Sequence, residues 1–263
     1  MRRRRILKYA AAGAVLAAIS ALPGYELFRR WQITTETIKM EGKYVYLMGP
    51  PPYANTNTLD KLDRAYELLW DLTSIQPYGG EKVGLVLDSV DSSEYCGLAG
   101  DPIIIPRSCW QEGRFPVETI AYHELAHDFM GIPEFDRVLF VTDHFVEGFA
   151  QLGRQYVQYH FDMPRYEDDR SLYLSALKEY VENNYPFEMK FFGADVSAGV
   201  LMDLTDRYGF EMWKRFFRSI YRLDIGPKED RTLEQRCSAF VRCVSETVGE
   251  DLTDYFRQLR FPL

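Results

Sequence analysis

The chain is poor in histidine and cysteine, and it has too few basic side chains to balance its acidic ones. Four histidines and four cysteines occur in 263 residues, and the formal net charge is −8. Five basic and no acidic side chains fall within the first 24 residues, which leaves −13 on the remainder. Nucleic acids and anionic membrane surfaces are negatively charged, so they repel an acidic protein of this kind. We therefore expect no nucleic-acid partner and no general adhesion to anionic membrane surfaces.

The N-terminal apolar run is too short for a typical transmembrane helix. It covers residues 9–22, follows a basic stretch and ends at Pro23 and Gly24. About fourteen residues is short for a membrane span and typical of the apolar region of a signal peptide. We therefore predict that residues 1–24 are an export signal and that the protein is periplasmic or secreted. The alternative is an uncleaved N-terminal membrane anchor that leaves residues 25–263 outside the cytoplasm.

Closely spaced cysteine pairs of the kind found in zinc knuckles are absent. The four cysteines form two local pairs, separated by 13 and by six positions. An even number of cysteines in an exported protein favours disulfides, and four cysteines allow about three connectivities. We predict the local connectivity, with disulfides Cys96–Cys109 and Cys237–Cys243.

Residues 123–127 read His-Glu-Leu-Ala-His, and a second acid, Glu147, follows after nineteen intervening residues. Histidines four apart project from one side of an α-helix, so His123 and His127 can bind a single ion. A carboxylate from another element completes the ligand set of a hydrolytic zinc site, which keeps a fourth position open for water. Glu147 fits this requirement, and Glu124 is placed to take a proton from that water. The alternative is a helix whose two histidines form ordinary hydrogen bonds.

The residues around the motif predict two helices joined by a short loop. Apolar side chains recur at four-residue steps and form a buried stripe on the first helix, namely Val117, Ala121, Leu125 and Phe129. Residues 131–133 read Gly-Ile-Pro and end this helix, and Thr142 or Asp143 is a candidate cap for the next. Two such helices can present the three ligands to one point.

At these residues the chain resembles the gluzincin metallopeptidases, a group that includes thermolysin and the zinc aminopeptidases. The resemblance rests on the His-Glu-x-x-His motif with its downstream glutamate and on residues 146–150, Val-Glu-Gly-Phe-Ala, which are similar to the Asn-Glu-Gly-Phe-Ala of the aminopeptidase branch. It implies that His123, His127 and Glu147 bind one zinc ion and that Glu124 is the general base. The metzincin pattern fits less well, because its later glycine and third histidine are replaced by Met130 and by a proline.

A peptidase also needs a group that stabilises the oxyanion formed when water attacks an amide carbonyl. His144 lies three residues before Glu147 and Gln151 lies four after it, so both share its helix face and are candidates to flank the metal. Asp128 and Asp143 are candidates to hold a ligand imidazole by its other nitrogen. The alternative for these acids is an ordinary solvated position near a helix end.

The remaining patterns predict an α+β fold of the zincin-like class, with a small mixed sheet first and a mostly helical C-terminal half. We expect strands at residues 43–48, 82–87 and 103–105, and a long helix at 58–75. Further helices are expected at residues 172–181, 198–208, 211–221 and 233–248. The metal would lie in a cleft between the two halves. Residues 102–106 are a candidate edge strand for pairing with an extended substrate, the alternative being a buried structural strand.

These observations predict an exported or membrane-anchored enzyme, a zinc metallopeptidase that uses one zinc ion and acts on a peptide or protein substrate. Glu124 would activate the attacking water and then protonate the leaving amine. One alternative is the hydrolysis of cell-envelope peptides. Another is a non-catalytic binding or assembly protein stabilised by zinc. A structural zinc site, however, does not need a base such as Glu124 beside its ligands.

Overall fold

A computed structural model describes residues 37–51, 53–88, 96–110, 116–130, 143–187, 193–220 and 231–263, without the side chains of Asp143 and His144. The predicted export signal or anchor, residues 1–24, lies outside this part of the chain. Within the described ranges, no helix combines the length and the apolar character needed to cross a membrane.

A mixed four-stranded sheet begins the described chain. It consists, in spatial order, of β1 (Ile38–Glu41), β2 (Val45–Gly49), β3 (Val83–Leu87) and β4 (Ile103–Ile105). Strands β1 and β2 are antiparallel, whereas β2 with β3 and β3 with β4 are parallel. Every residue of β3 is buried, as expected for a strand that is covered on both faces.

Helices make up most of the remaining described chain. They are α1 (Thr56–Thr73), α2 (Arg107–Trp110), α3 (Val117–Met130), α4 (Asp143–His160), α5 (Arg165–Glu182), α6 (Ala194–Tyr208), α7 (Phe210–Ile220), α8 (Leu233–Val248) and α9 (Thr253–Gln258). Helix α1 provides the crossover that the parallel pair β2 and β3 requires. The predicted α+β class and the mostly helical C-terminal half are therefore confirmed.

The boundaries of the elements agree best with the prediction where local capping determines them. Helix α8 has the predicted limits, because Thr232 and Gln235 form a capping box at its start and Gly249 adopts a left-handed conformation after its end. Helix α5 begins at Arg165, seven residues before the predicted start. Its first two turns are mainly charged, so no apolar repeat marked them. Strand β1 was not predicted, and its burial pattern is mostly exposed.

Helices α3 and α4 pack closely against each other at the centre of the molecule. The predicted apolar stripe of α3 is buried, as are most of its other side chains. On α4, Gly153 faces Ala126 of α3 so closely that a Cβ added to Gly153 would lie 2.6 Å from the Ala126 Cβ. The absence of a side chain at Gly153 therefore sets the separation of the two helices. Residues 131–142, which connect them in sequence and for which a short loop was predicted, lie outside the described residues.

The structure contains one of the two predicted disulfides. Cys96 and Cys109 are bonded, with their Cα atoms 5.4 Å apart. The predicted Cys237–Cys243 disulfide is wrong, because both residues lie within α8 and carry buried free thiols. Six residues of α-helix rise by about 9 Å, which exceeds the roughly 7 Å limit between the Cα atoms of a disulfide.

A thiol titration tests this assignment. Burial raises the pKa of Cys237 to about 12 and that of Cys243 to about 11, so neither thiol should react quickly in the folded protein. After denaturation without a reductant, we expect two reactive thiols per chain, rising to four once a reductant is added. No reactive thiol in the denatured, unreduced protein would contradict the assignment.

Substitution of Gly153 tests the contact between the two central helices. We expect Gly153→Ala to lower the free energy of unfolding by about 1–2 kcal/mol, because overpacking outweighs the gain in helix propensity. Chemical denaturation measures the change. Gly193→Ala is the matched control, since no atom lies within 4 Å of a Cβ added there. Equal stability of the two variants would show that α3 and α4 do not need this close contact.

Candidate metal centre

Three side chains named as ligands from the sequence meet between α3 and α4. The Nε2 atoms of His123 and His127 lie 3.1 Å apart. The Glu147 carboxylate lies 3.2 Å from His123 Nε2 through one oxygen and 3.5 Å from His127 Nε2 through the other. One ligand atom from each residue can be chosen so that all three lie within 4.8 Å of one another. This group could hold a metal ion.

The separations between the ligand atoms suit a tetrahedral ion. Metal bonds of about 2.0–2.2 Å at tetrahedral angles place neighbouring ligand atoms roughly 3.3–3.6 Å apart. The two imidazole nitrogens are 3.1 Å apart, and each lies 3.2 or 3.5 Å from a different oxygen of the Glu147 carboxylate, so each of these separations is close to the tetrahedral range. Two imidazoles and one carboxylate also form a donor set that several divalent transition metals accept. The residues therefore fit a metal ion, and the geometry alone does not specify which one.

The charges of the three ligands are strongly coupled. Hydrogen bonds from both histidines hold the pKa of Glu147 well below its usual value. Burial lowers the pKa of His123. Burial also opposes protonation of His127, but contact with Glu147 and the charges of Glu124 and Asp128 outweigh it, so the pKa of His127 is raised. Metal binding requires both imidazoles to be neutral, so it should release a proton from His127.

Glu124 lies beside the ligands in a different environment. Its side chain is buried and accepts a hydrogen bond from the backbone N–H of Ala99. Burial and the negative charge of Glu147 raise the pKa of Glu124 to about 7, although His127 opposes the shift. A Cβ on Gly97 would overlap the Glu124 carboxylate, so the backbone of Gly97 confines this side chain. Two neighbouring glutamates thus have pKa values shifted in opposite directions.

The metal centre opens into a cleft of about 980 Å³. One wall is the segment 97–100, which begins beside the Cys96–Cys109 disulfide. Leu98 in this segment both donates a hydrogen bond to Ile104 and accepts one from it. Of the two interpretations of residues 102–106, the free edge for a substrate is therefore wrong at Ile104, because the segment 97–100 pairs with β4 on that side. The alternative, a structural strand paired on both sides, fits this position.

Asp128 fits neither of the two interpretations considered above, because it does not hold a ligand imidazole and it is buried rather than solvated. Its Oδ1 accepts hydrogen bonds from the Tyr78 hydroxyl at 2.9 Å and from the Gly100 backbone N–H at 2.7 Å. Its Oδ2 is buried without a hydrogen-bond partner, and so is Nδ1 of His123. Burial raises the pKa of Asp128 to about 7. Asp128 thus links the cleft wall at Gly100 to α3.

Gln151 lies at the cleft, as its spacing from Glu147 predicted. Its Oε1 accepts a hydrogen bond of 2.9 Å from the Tyr173 hydroxyl on α5. The same hydroxyl is hydrogen-bonded to Arg154, one turn further along α4. The other two candidates, Asp143 and His144, have side chains outside the described part of the structure, so their roles stay predictions.

Sequence reasoning missed two residues that line this cleft, Tyr78 and Arg154. Arg154 follows Glu147 by seven residues and therefore shares its helix face, so the spacing alone could have indicated it. Tyr78 lies in a short turn (Pro77–Gly80) and has a left-handed backbone with φ of 51°. No periodic pattern marks such a residue, because the turn brings it to the cleft through tertiary packing.

Metal analysis of histidine variants tests the centre. After loading with zinc and dialysis, we expect one metal ion per chain in the wild type and well below one in His127→Ala, which keeps only two ligands. His160→Ala is the matched control, because His160 lies at the exposed end of α4 and should leave the metal content unchanged. Elemental analysis gives the ratios. A full metal content in His127→Ala would exclude the proposed ligand set.

No protein-family model matches this chain, and no curated protein matches it in sequence. The resemblance to the gluzincins therefore rests on the motif and on the spacing of its residues. The arrangement of His123, His127, Glu147 and Glu124 is what supports a functional proposal.

Proposed function

We propose that this chain is a zinc metallopeptidase of the gluzincin type that hydrolyses peptide bonds outside the cytoplasm. One observation carries the proposal: a buried glutamate that is not a ligand lies beside a two-histidine, one-glutamate centre in an open cleft. A structural zinc site is normally closed by four protein ligands. Three ligands with a neighbouring acid instead suit hydrolysis.

His123, His127 and Glu147 would hold the ion. Zinc bound by such a set lowers the pKa of water and polarises a carbonyl group. The three ligands come from two helices that are packed directly against each other, so their geometry is fixed before a substrate arrives. A fixed arrangement reduces the reorganisation needed during the reaction.

Glu124 would carry the proton through the reaction. Its carboxylate accepts a proton from the attacking water as the oxygen bonds to the peptide carbonyl carbon. The same carboxyl group then donates the proton to the amide nitrogen as the C–N bond breaks. Burial raises the pKa of Glu124, which favours return of the proton to the leaving amine. The N–H of Ala99 and the backbone of Gly97 hold the carboxylate in place.

One wall of the cleft could bind an extended peptide along its length. In the segment 97–100, Leu98 pairs with β4 and the N–H of Ala99 faces Glu124. This segment, rather than residues 102–106, is therefore the backbone next to the reacting groups. A substrate strand lying along it would approach Glu124 directly.

The disulfide supports the proposed location. Disulfides persist in oxidising compartments, and Cys96–Cys109 fixes the start of the segment that forms the cleft wall. Together with the basic and apolar N-terminal sequence, it favours an exported protein or one with its catalytic domain held outside the cytoplasm by an anchor.

Substitution of Glu124 tests the proposed function. We expect Glu124→Gln to keep one zinc ion per chain while its kcat for a mixed peptide library falls by about 10²–10⁴-fold, because proton transfer is lost and the ligands remain. Glu118→Gln is the control on the same helix. Glu118 pairs with Lys61 at 3.2 Å and is not part of the cleft lining, so its variant should retain near-normal turnover.

Peptide products separated by mass spectrometry would identify the cleaved bonds. Turnover that is unchanged in Glu124→Gln would remove Glu124 from the mechanism. A wild type that binds zinc and cleaves no peptide would favour the non-catalytic binding protein instead.

A further inference from the structure

Arg154 is the only lysine or arginine among the described residues that line the metal cleft. It lies on α4, seven residues after the ligand Glu147. The other ionisable side chains of this lining are the two histidines, Tyr78, and the acids Glu124, Asp128 and Glu147. The guanidinium is thus a positive charge in a cleft that otherwise carries carboxylates.

The contacts of Arg154 occupy only part of its guanidinium group. Its Nη2 lies 3.1 Å from Oδ2 of Asp169 and is also hydrogen-bonded to the Tyr173 hydroxyl. Its Nε is buried and has no hydrogen-bond partner. The side chain is 11% exposed. A guanidinium has five N–H groups, so Arg154 keeps donors that no described residue uses.

The surroundings hold the guanidinium in one orientation. Asp169 is buried and accepts a second hydrogen bond from Gln158. Tyr173 is almost fully buried and connects Arg154 with Gln151 through its hydroxyl. The Oε1 of Gln151 accepts a hydrogen bond from the Tyr173 hydroxyl, so the amide N–H groups of Gln151 remain as donors at the cleft. Buried partners thus orient two donor groups on the helix face that carries Glu147.

We propose that Arg154, supported by Gln151, binds a carboxylate on the substrate residue next to the bond that is cleaved. This inference rests on the proposed peptidase function. The carboxylate is either the C-terminal carboxylate of the peptide or the side chain of an aspartate or glutamate, since both present the same pair of oxygens. A planar guanidinium matches such a pair better than an ammonium group does.

The spacing along α4 agrees with this assignment. Seven helical residues separate the Cα atoms of Glu147 and Arg154 by about 10.5 Å. Burial lowers the pKa of His123, and Arg154 is close enough to the metal ligands for its charge to lower that pKa further; both residues line the same cleft. A carboxylate on a residue next to the reacting carbonyl would therefore lie on the side of the cleft that carries the guanidinium.

Ligand binding to an inactive variant tests the proposal, because it measures affinity rather than turnover. The background is zinc-loaded Glu124→Gln, and the probes are two pairs of N-acetylated peptides cleaved by the wild type. One pair differs only in a free or amidated C-terminus. The other pair has an amidated C-terminus and differs only in Glu or Gln beside the cleaved bond. Calorimetry gives the four dissociation constants.

We expect the carboxylate form of at least one pair to bind about tenfold tighter or more than its neutral partner. The pair that shows the difference identifies whether a terminal or a side-chain carboxylate is bound. Adding Arg154→Gln should abolish the preference, and adding Arg154→Lys should retain part of it. If neither pair shows a preference, or if the preference survives in Arg154→Gln, the proposal is overturned.

Arg165→Gln is the matched control. Arg165 pairs with the same carboxylate, at 3.3 Å from Asp169 Oδ1, and does not line the cleft. Its variant should keep the carboxylate preference, and circular dichroism should show folded protein for both arginine variants. Equal loss of the preference in Arg165→Gln would assign the effect to the structure around Asp169 and would overturn the direct role of Arg154. Cleavage of the probes by the wild type reports separately on the peptidase function.

Discussion

The close contact between α3 and α4 is the constraint on which the candidate metal centre depends. Ala126 and Gly153 form this contact, and Ala126 immediately precedes the ligand His127. A larger side chain at either position would separate the helices and move Glu147 away from both histidines. Because most of α3 is buried, the two histidines cannot shift to compensate. The packing of small residues thus fixes the positions of the ligands.

The site places two carboxyl groups, those of Glu124 and Asp128, where their ionisation is costly. Burial raises the pKa of Glu124 and of Asp128 to about 7 in each case. For an acid, a raised pKa in the folded state means that stability is lost as the pH rises from the unfolded to the folded pKa. A divalent cation beside His127 would offset this cost with two positive charges. Metal binding and folding should therefore stabilise each other.

The sequence predicted those parts of the site that depend on local geometry. Residues four apart share a helix face wherever the helix lies, so the relation between His123 and His127 follows from their spacing. The spacing also places Gln151 and Arg154 on the helix face of Glu147, although Arg154 was not predicted. The limits of α8 could be predicted because its capping residues are adjacent to it in sequence. Such features need no knowledge of the tertiary fold.

Features that depend on tertiary contacts could not be predicted in the same way. The segment 97–100 covers β4 because the chain folds back beside Ile104, and nothing in its composition indicates this pairing. Tyr78 reaches Asp128 across fifty residues of sequence. The predicted Cys237–Cys243 disulfide failed because a helical conformation keeps the two cysteines apart. In each case the partner is determined by packing rather than by sequence distance.

The central claim is that His123, His127 and Glu147 bind one metal ion and leave Glu124 free to act as a base. Anomalous diffraction at the zinc absorption edge, from crystals of the zinc-loaded protein, tests it most directly. The account predicts a single strong peak about 2.0–2.2 Å from one atom of each ligand, with Glu124 outside the coordination sphere. A peak elsewhere in the molecule, or an ion coordinated by Glu124, would contradict it.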